Sequence, residues 1–198
     1  MNTTILKGYL KDIKPSHTIE GINFSKAKLL VQRDNGKEDV VDIKFKSLSN
    51  KYKENDLITL VGNLRTYSHQ VSETKNKVEL YVFTYFDIPE NETNNEVDLD
   101  GRICKIEKLR TIKNGKHNIH FILANNIVSK NGTKKLNAYI PCIAWGKVAE
   151  SFSKLKVSTP IVLKGEVRSR EHRVAKEDGT YDIQIAHEVL VNSYEVVE

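Results

Sequence analysis

The feature of this sequence that most constrains its fold is an internal repeat. Residues 62–65 (GNLR) match residues 165–168 (GEVR), and in both copies an apolar run precedes the glycine and a histidine follows it seven residues later. An earlier pair, residues 6–10 (LKGYL) and 99–103 (LDGRI), matches with an offset of 93, whereas the later pair has an offset of 103. A repeat of about 100 residues has the size of a small domain and is too long for a solenoid unit. We therefore predict two copies of one domain.

The second half contains five strand-like segments and one helical segment. The strands are predicted at residues 97–109, 118–128, 136–144, 160–169 and 180–191, with Asn-Gly or Asp-Gly turns at residues 113–116, 130–133 and 177–180. After the third strand, Val148, Phe152 and Leu155 recur at the spacing of one helix face. Three strands, a helix and two strands is the order of an OB-fold, a five-stranded barrel.

The first half follows the same order. Its strands are predicted at residues 4–13, 23–32, 39–46, 57–66 and 77–86, with a turn at residues 34–37; the helical position, residues 48–55, holds only a short polar segment. Residues 89–96 are polar and begin with proline, which is typical of a linker that allows some reorientation. We therefore predict an all-β protein with short helices and two tandem OB-folds, at residues 1–88 and 97–198.

Charge favours an anionic partner. The chain has a net charge of +5; residues 1–88 carry 14 basic and 11 acidic side chains, and residues 98–198 carry 17 and 12. Nucleic acid is the first candidate, and an ordinary solvated surface is the alternative. We find no apolar run long enough to span a membrane and no signal-peptide pattern, so we expect a cytoplasmic protein without a membrane partner.

No pattern of catalytic residues stands out. Cys104 and Cys142 each lie in an apolar strand-like run without a metal-ligand partner at the usual spacing, so we predict two buried, reduced thiols. His117 and His120 lack a partnered cysteine, and there is no phosphate-binding glycine loop or nucleophile elbow. We therefore expect a protein that is not an enzyme and has no metal or cofactor.

Three segments of the second half resemble the bacterial single-stranded-DNA-binding protein family. Residues 142–150 (CIAWGKVAE) resemble the family's apolar strand ending in aromatic-Gly-Lys-x-Ala-Glu. Residues 159–170 (TPIVLKGEVRSR) resemble its next strand, and residues 178–181 (DGTY) its last hairpin. The resemblance covers residues 97–195; for the first half, membership follows from the internal repeat.

The resemblance implies which aromatic residues contact bases. Trp145 and Tyr139 match stacking positions, and His172 stands where the family often has an aromatic residue, whereas the stacking position near residues 127–129 is not aromatic here. Aromatic rings stack on bases while cations bind the phosphates. Residues six apart on a strand share a face, so Tyr139 and Trp145 can form one surface, with burial in the core as the alternative.

Basic residues near these rings are candidates for phosphate contacts, because OB-fold loops usually border the ligand groove. They are Lys113, Lys116, Lys130, Lys134, Lys135, Lys147, Arg168, Arg170 and Arg173. The repeat also indicates candidate DNA-binding residues in the first half, namely Phe45 at the position of Trp145, and Arg65, Tyr67 and His69. At the position of Tyr139 the first half has Asp39. We expect the first domain to bind more weakly or to mediate dimerisation. Tyr81, Phe83 and Tyr85 alternate on its last strand, which favours one barrel face over a stacking platform.

These features predict binding and protection of single-stranded DNA during replication, recombination or transfer. The sequence stops just past its last predicted strand, without the acidic-tipped tail usual in the family, so we expect a specialised phage, plasmid or other mobile-element protein. Relatives with one OB-fold commonly assemble four, which predicts a homodimer here, with replication or helicase proteins as further partners. The alternatives are an OB-fold interaction module of a replication or restart complex, and single-stranded RNA binding.

Overall fold

The structure, a computed structural model, describes residues 1–46, 52–72, 75–87, 93–128, 135–175 and 179–197. The strands of the first half are β1 (Asn2–Ile19), β2 (Ile22–Gln32), β3 (Glu38–Lys46), β4 (Leu57–Ser72) and β5 (Lys75–Asp87). The second half contains β6 (Asn95–Ile106), β7 (Arg110–Thr111), β8 (His117–Val128), β9 (Lys135–Trp145), α1 (Gly146–Phe152), β10 (Pro160–Ala175) and β11 (Tyr181–Val196). The turns predicted at residues 34–37 and 113–116 contain glycines with positive φ, Gly36 at 79° and Gly115 at 78°.

Each half closes into a five-stranded barrel. In the first, β1 pairs antiparallel with β2 and β4, β2 with β3, and β4 with β5; parallel pairing of β3 with β5 completes the ring. In the second, β6 pairs with β8 and β10, β8 with β9, and β10 with β11, and β9 and β11 pair in parallel. The predicted all-β fold with two tandem OB-folds is confirmed. Of the short helical position at residues 48–55, residues 48–51 lie outside the described part, and residues 52–55 are not helical.

Helix α1 closes one end of the second barrel. Phe152 is fully buried, and its ring centroid lies 4.2 Å from that of Phe121 on β8 and 4.5 Å from that of Tyr194 on β11. Val148 and Leu155 pack against the same core, so the predicted apolar face is confirmed, although the helix itself ends at Phe152. Burial of these apolar side chains holds the chain that follows Trp145 against the barrel.

The repeated glycines mark places where two strands approach closely. A Cβ atom at Gly101 would lie 2.5 Å from the Ala124 carbonyl oxygen, and one at Gly62 would lie 2.5 Å from that of Phe83. Their equivalents, Gly8 and Gly165, face backbone carbonyls in the same way. Any side chain at these positions would clash, so the barrel requires glycine there, which explains why the repeat is visible in the sequence.

Pairing of β1 with β6 joins the two barrels. The ladder is antiparallel and places Thr4 opposite Val97, which are equivalent positions of the repeat, so an approximate two-fold axis passes between them. Two hydrogen bonds across the interface follow the same symmetry. The Val40 amide donates to Ser169 Oγ at 2.9 Å, and the Tyr139 amide donates to Thr66 Oγ1 at 3.1 Å. One chain thus contains an interface built like that of a symmetric dimer.

The segment that connects the barrels is held by more hydrogen bonds than we expected of a polar linker. Asn95 and Glu96, which we assigned to the linker, belong to β6. The Lys7 amide donates a hydrogen bond to the Asn94 carbonyl at 2.8 Å. The Asn95 side chain also donates to and accepts from the backbone of Val167. These hydrogen bonds and the β1–β6 ladder oppose the reorientation that we expected.

The two cysteines differ in their environment. Cys142 is buried, as predicted, and burial raises the pKa of its thiol above the ordinary value. Cys104 is exposed, so the prediction of a buried thiol is wrong there. Cys104 directly follows the inward-facing Ile103 on β6, so the alternation of side chains along the strand places its thiol on the outer face.

Candidate nucleic-acid interface

The strand registers correct the alignment of the two copies on β3 and β9. Ile43 and Cys142 occupy equivalent places, since they pair with Val82 and Val189 at matching positions of the two barrels. Phe45 therefore corresponds to Ala144, and Lys46 corresponds to Trp145. A slip of one residue moves a side chain to the other face of a strand. Phe45 is accordingly only 8% exposed and packs in the core, so the prediction that it stacks on a base is wrong.

Trp145 lies on the outer face at the end of β9. Its side chain is 37% exposed, and the next residue, Gly146, has a φ of 56° that turns the chain into α1. Tyr139 is 48% exposed and lies on the same outer face, as predicted, while Ala144 and Ile140 point into the core. The two aromatic side chains are thus presented on one surface of the second barrel.

Charged side chains surround Trp145 in a shallow groove, which we call the Trp145 groove. Its lining residues are Glu107, Arg110, Asn118, His120, Ile143, Trp145, Arg170 and Glu188. Arg170 Nε lies 3.5 Å from Glu188 Oε1, and His120 Nδ1 lies 3.7 Å from Glu188 Oε2. Arg110 Nη2 lies 2.6 Å from Glu107 Oε2. Both arginines are solvent-exposed, so these ion pairs are weak and a phosphate can compete for the guanidinium groups.

Arg168 has a different role from Arg170. Its Nη1 lies 3.0 Å from Oδ2 of Asp39 in the other barrel, and its second terminal nitrogen pairs with Glu166. Arg33 Nε donates to the same Asp39 oxygen at 2.7 Å, and the Ser169 amide donates to Oδ1 at 2.6 Å. These contacts assign Arg168 to the interface between the barrels rather than to a phosphate.

Asp39 is the centre of this interface. Its side chain is 0% exposed, and it corresponds to Ala138 rather than to Tyr139, so it is not an acid on the stacking surface. Burial by itself would raise its pKa. Hydrogen bonds from Arg33, the Ser169 amide and Arg168 outweigh burial and hold the pKa of Asp39 below its usual value.

The remaining candidates lie in the β7–β8 turn, on α1, on the β10–β11 hairpin, and on β4 and β9. Lys113 and Lys116 are exposed in the β7–β8 turn, and Lys147 is exposed on α1. On the extended β10–β11 hairpin, Arg173 is exposed and His172 is half-buried. Lys130 and Lys134 lie outside the described residues, as do the side chains of Lys135 and His69, whose backbones belong to β9 and β4. On β4, Tyr67 is 54% exposed and the Arg65 guanidinium lies 3.9 Å from the centroid of the Phe83 ring.

On the outer face of the first barrel, three residues that the sequence did not single out, Lys44, Phe24 and His17, lie close to aromatic rings. Lys44 Nζ lies 4.1 Å from the centroid of the Tyr81 ring and 5.8 Å from that of Tyr67. The Phe24 ring stacks on His17 with centroids 4.9 Å apart. The sequence signal for this face is the alternation on β5, where the inward-facing Val82 separates Tyr81 from Phe83. The alternation by itself favours one barrel face over a stacking platform, and it gives no indication of Lys44.

Within the described ranges, no cluster of three or more His, Cys, Asp or Glu side chains could hold a metal ion. The same residues include no helix long and apolar enough to cross a membrane.

The chain is similar to known proteins in sequence family and in fold. Residues 94–196 match the model of the single-strand binding protein family. The wild-type single-stranded DNA binding protein from Thermus aquaticus has a TM-score of 0.73 and 17% identity, covering 100% of this chain and 93% of that chain. A deletion mutant of that protein has the same score and identity, with 95% of its chain covered. No curated protein matches the sequence significantly. Because the sequence identity to these structures is low, their likeness shows only a shared fold. The family match, in contrast, is a match in sequence and spans just over half of the chain. This protein therefore belongs to the single-strand binding protein family, whose members bind DNA and are not enzymes.

Proposed function

We propose that this protein binds and protects single-stranded DNA with little preference for sequence. The observation that carries the proposal is the exposed ring of Trp145 in a groove that Arg110 and Arg170 also line, since stacking on bases combined with cations along the backbone is how single strands are bound. Trp145, Tyr139, Arg170 and the lysines around α1 and the β7–β8 turn form the proposed contact set in the second domain.

The test is a titration with single-stranded DNA, single-stranded RNA and duplex DNA of the same sequence, each at low and at moderate salt. Trp145 is the only tryptophan, so quenching of its fluorescence reports a base on that ring. We expect quenching and tight binding with single-stranded DNA and weaker binding at higher salt. Preference for the duplex, or single-strand binding without any change in Trp145 emission, would contradict the proposal.

We further propose that the protein acts in the cytoplasm during replication, recombination or transfer of a phage, plasmid or other mobile element, since these processes expose single strands. Residues 1–88 and 97–198 are the proposed binding domains, and a homodimer would present four of them. Crosslinking the protein to DNA in its native cells and sequencing the captured strands tests this setting. Recovery of mobile-element DNA is the expected result, and uniform recovery of the host chromosome would contradict it.

A further inference from the structure

Asn118 lies directly beside Trp145 on the neighbouring strand. The β8–β9 ladder pairs these two residues, and Arg110 on β7 pairs with Asn118 from the other side. Ile119 and Ala144, their neighbours along the strands, are buried in the core, so Asn118 and Trp145 are directed to the outer face. Directly paired residues on one face have Cβ atoms about 5 Å apart. Asn118 is therefore adjacent to any base that stacks on Trp145.

The side chain of Asn118 is buried although it belongs to the wall of the Trp145 groove. The residue is 7% exposed. Its Oδ1 atom is shielded from solvent and has no hydrogen-bond partner among the residues that the structure describes. A buried acceptor without a donor is unfavourable, and native proteins satisfy nearly all such groups. Asn118 thus places an unused acceptor beside the ring on which we propose that a base stacks.

The side chains on both sides of Asn118 are free to give way to a ligand. That of Arg110 is 63% exposed and that of Trp145 is 37% exposed, so burial in the core fixes neither of them. Arg110 is paired with Glu107 in a solvent-accessible ion pair, and pairs of this kind contribute little. A nucleotide whose phosphate draws Arg110 away from Glu107 can therefore bring its base against Asn118.

The ligand group that fits this acceptor is the Watson–Crick edge of an unpaired base. The Oδ1 atom of an asparagine accepts hydrogen bonds and does not donate them. Every DNA base carries an N–H group on its Watson–Crick edge, so such a contact needs no particular base. In a duplex the partner base occupies that edge. Proteins that bind unstacked bases commonly combine an aromatic face with hydrogen bonds to the base edge. An acceptor beside a stacking ring can therefore distinguish single strands from duplex without reading sequence.

We propose that Asn118 Oδ1 accepts a hydrogen bond from the Watson–Crick edge of the base that stacks on Trp145, and that this contact selects unpaired over paired DNA. The inference rests on the proposed function. It adds to that function a contact that checks whether the base is unpaired, which the stacking ring and the cations do not provide.

The test compares two oligonucleotides of about 30 nucleotides, one of thymidine and one of N3-methylthymidine, by fluorescence anisotropy with the full chain. The only N–H donor of thymine is N3–H, and methylation removes it while keeping the ring and the phosphates. The variant is Asn118→Leu, which has a similar size without an acceptor, and Asn118→Ala is the second variant in case the first does not fold. Asn192→Leu is the matched control, since Asn192 is an exposed asparagine on β11 outside the Trp145 groove.

We expect the wild type to bind the thymidine oligonucleotide about threefold to tenfold more tightly than the methylated one, the effect of one hydrogen bond to a buried acceptor. Asn118→Leu should lose this difference by weakening only the binding of thymidine, and the control should keep it. Affinity for duplex DNA should be unchanged in Asn118→Leu, so its preference for single strands falls by the same factor. The melting temperature should not fall, because no hydrogen bond from a described residue to Oδ1 is lost.

Two results would overturn the inference. One is equal wild-type affinity for the two oligonucleotides, which requires no variant to fold. The other is an Asn118 variant that keeps the wild-type difference, whether it binds both oligonucleotides normally or both more weakly. If the wild-type chain does not bind the thymidine oligonucleotide, or binds it without quenching of Trp145, the proposed function fails instead.

Discussion

The carboxylate of Asp39 in the first barrel and the guanidinium of Arg168 in the second lie 3.0 Å apart, and this pair helps to fix how the barrels meet. Arg33 and the Ser169 amide complete the shell around the carboxylate. The symmetric position in the second barrel is Ala138, so this part of the interface breaks the two-fold symmetry that the backbone hydrogen bonds obey.

Replacing Asp39→Asn should destabilise the protein by about 1–3 kcal/mol, the cost of leaving charged hydrogen-bond donors without their acceptor. Urea unfolding gives the value. Asp42→Asn is the matched control, because the Asp42 carboxylate is partly exposed and lies 3.5 Å from Lys28 Nζ, and its loss should cost about 0.5 kcal/mol or less. Equal effects of the two substitutions would contradict the central role of Asp39.

Acid should weaken the interface through the same residue. Because the folded-state pKa of Asp39 is lowered, its stabilising contribution is fully present above the unfolded pKa of about 3.9. The contribution is lost as the pH falls below that value through the folded pKa. Unfolding free energies measured from pH 6 to pH 2 should therefore fall less steeply for Asp39→Asn than for the wild type; parallel curves would exclude this linkage.

Trp145→Ala should weaken single-strand binding by about 1–3 kcal/mol, since a half-exposed ring that stacks on a base contributes to binding more than to folding. The melting temperature should change little, because the indole is not part of the core. Trp145→Phe is the control and should retain most of the affinity. A destabilised Trp145→Ala protein with normal affinity would show that the ring serves packing.

Binding should depend on salt and hardly on base sequence. Each phosphate contact on a single strand contributes a slope of about −0.7 to the plot of log affinity against log salt. Arg170→Gln should reduce the slope by about that amount and weaken binding to all sequences equally. Anisotropy titrations at four salt concentrations with two unrelated oligonucleotides measure both effects, and an unchanged slope would remove Arg170 from the contact set.

The oligomer in solution should be a dimer with four barrels. Strand β1 already pairs with β6 inside the chain, so the contact between two chains must use another surface. Light scattering of the free protein gives the mass directly. A monomer that binds single-stranded DNA with full affinity would refute the dimer.

Local patterns were enough to predict the two barrels. Alternating apolar residues, the Asn-Gly turns and the glycines at close strand approaches are each imposed by backbone geometry within one or two strands, so they are visible in the sequence. The same patterns predicted that Tyr139 and Trp145 share a face, because residues six apart on one strand must do so. They also predicted the apolar face that seats Phe152.

Only the tertiary structure decided how the two barrels combine. The offset between the two copies of the repeat changes within the chain. An alignment error of one residue exchanges inward-facing and outward-facing positions of a strand, and for this reason the sequence aligned the buried Phe45 with the exposed Trp145. Asp39 and Arg168 are 129 residues apart in the sequence, and no local sequence pattern predicts that their side chains are in contact. Strands, turns and helix faces that follow from short-range periodicity could be predicted, whereas the interface between the barrels depends on contacts that exist only after both barrels have closed.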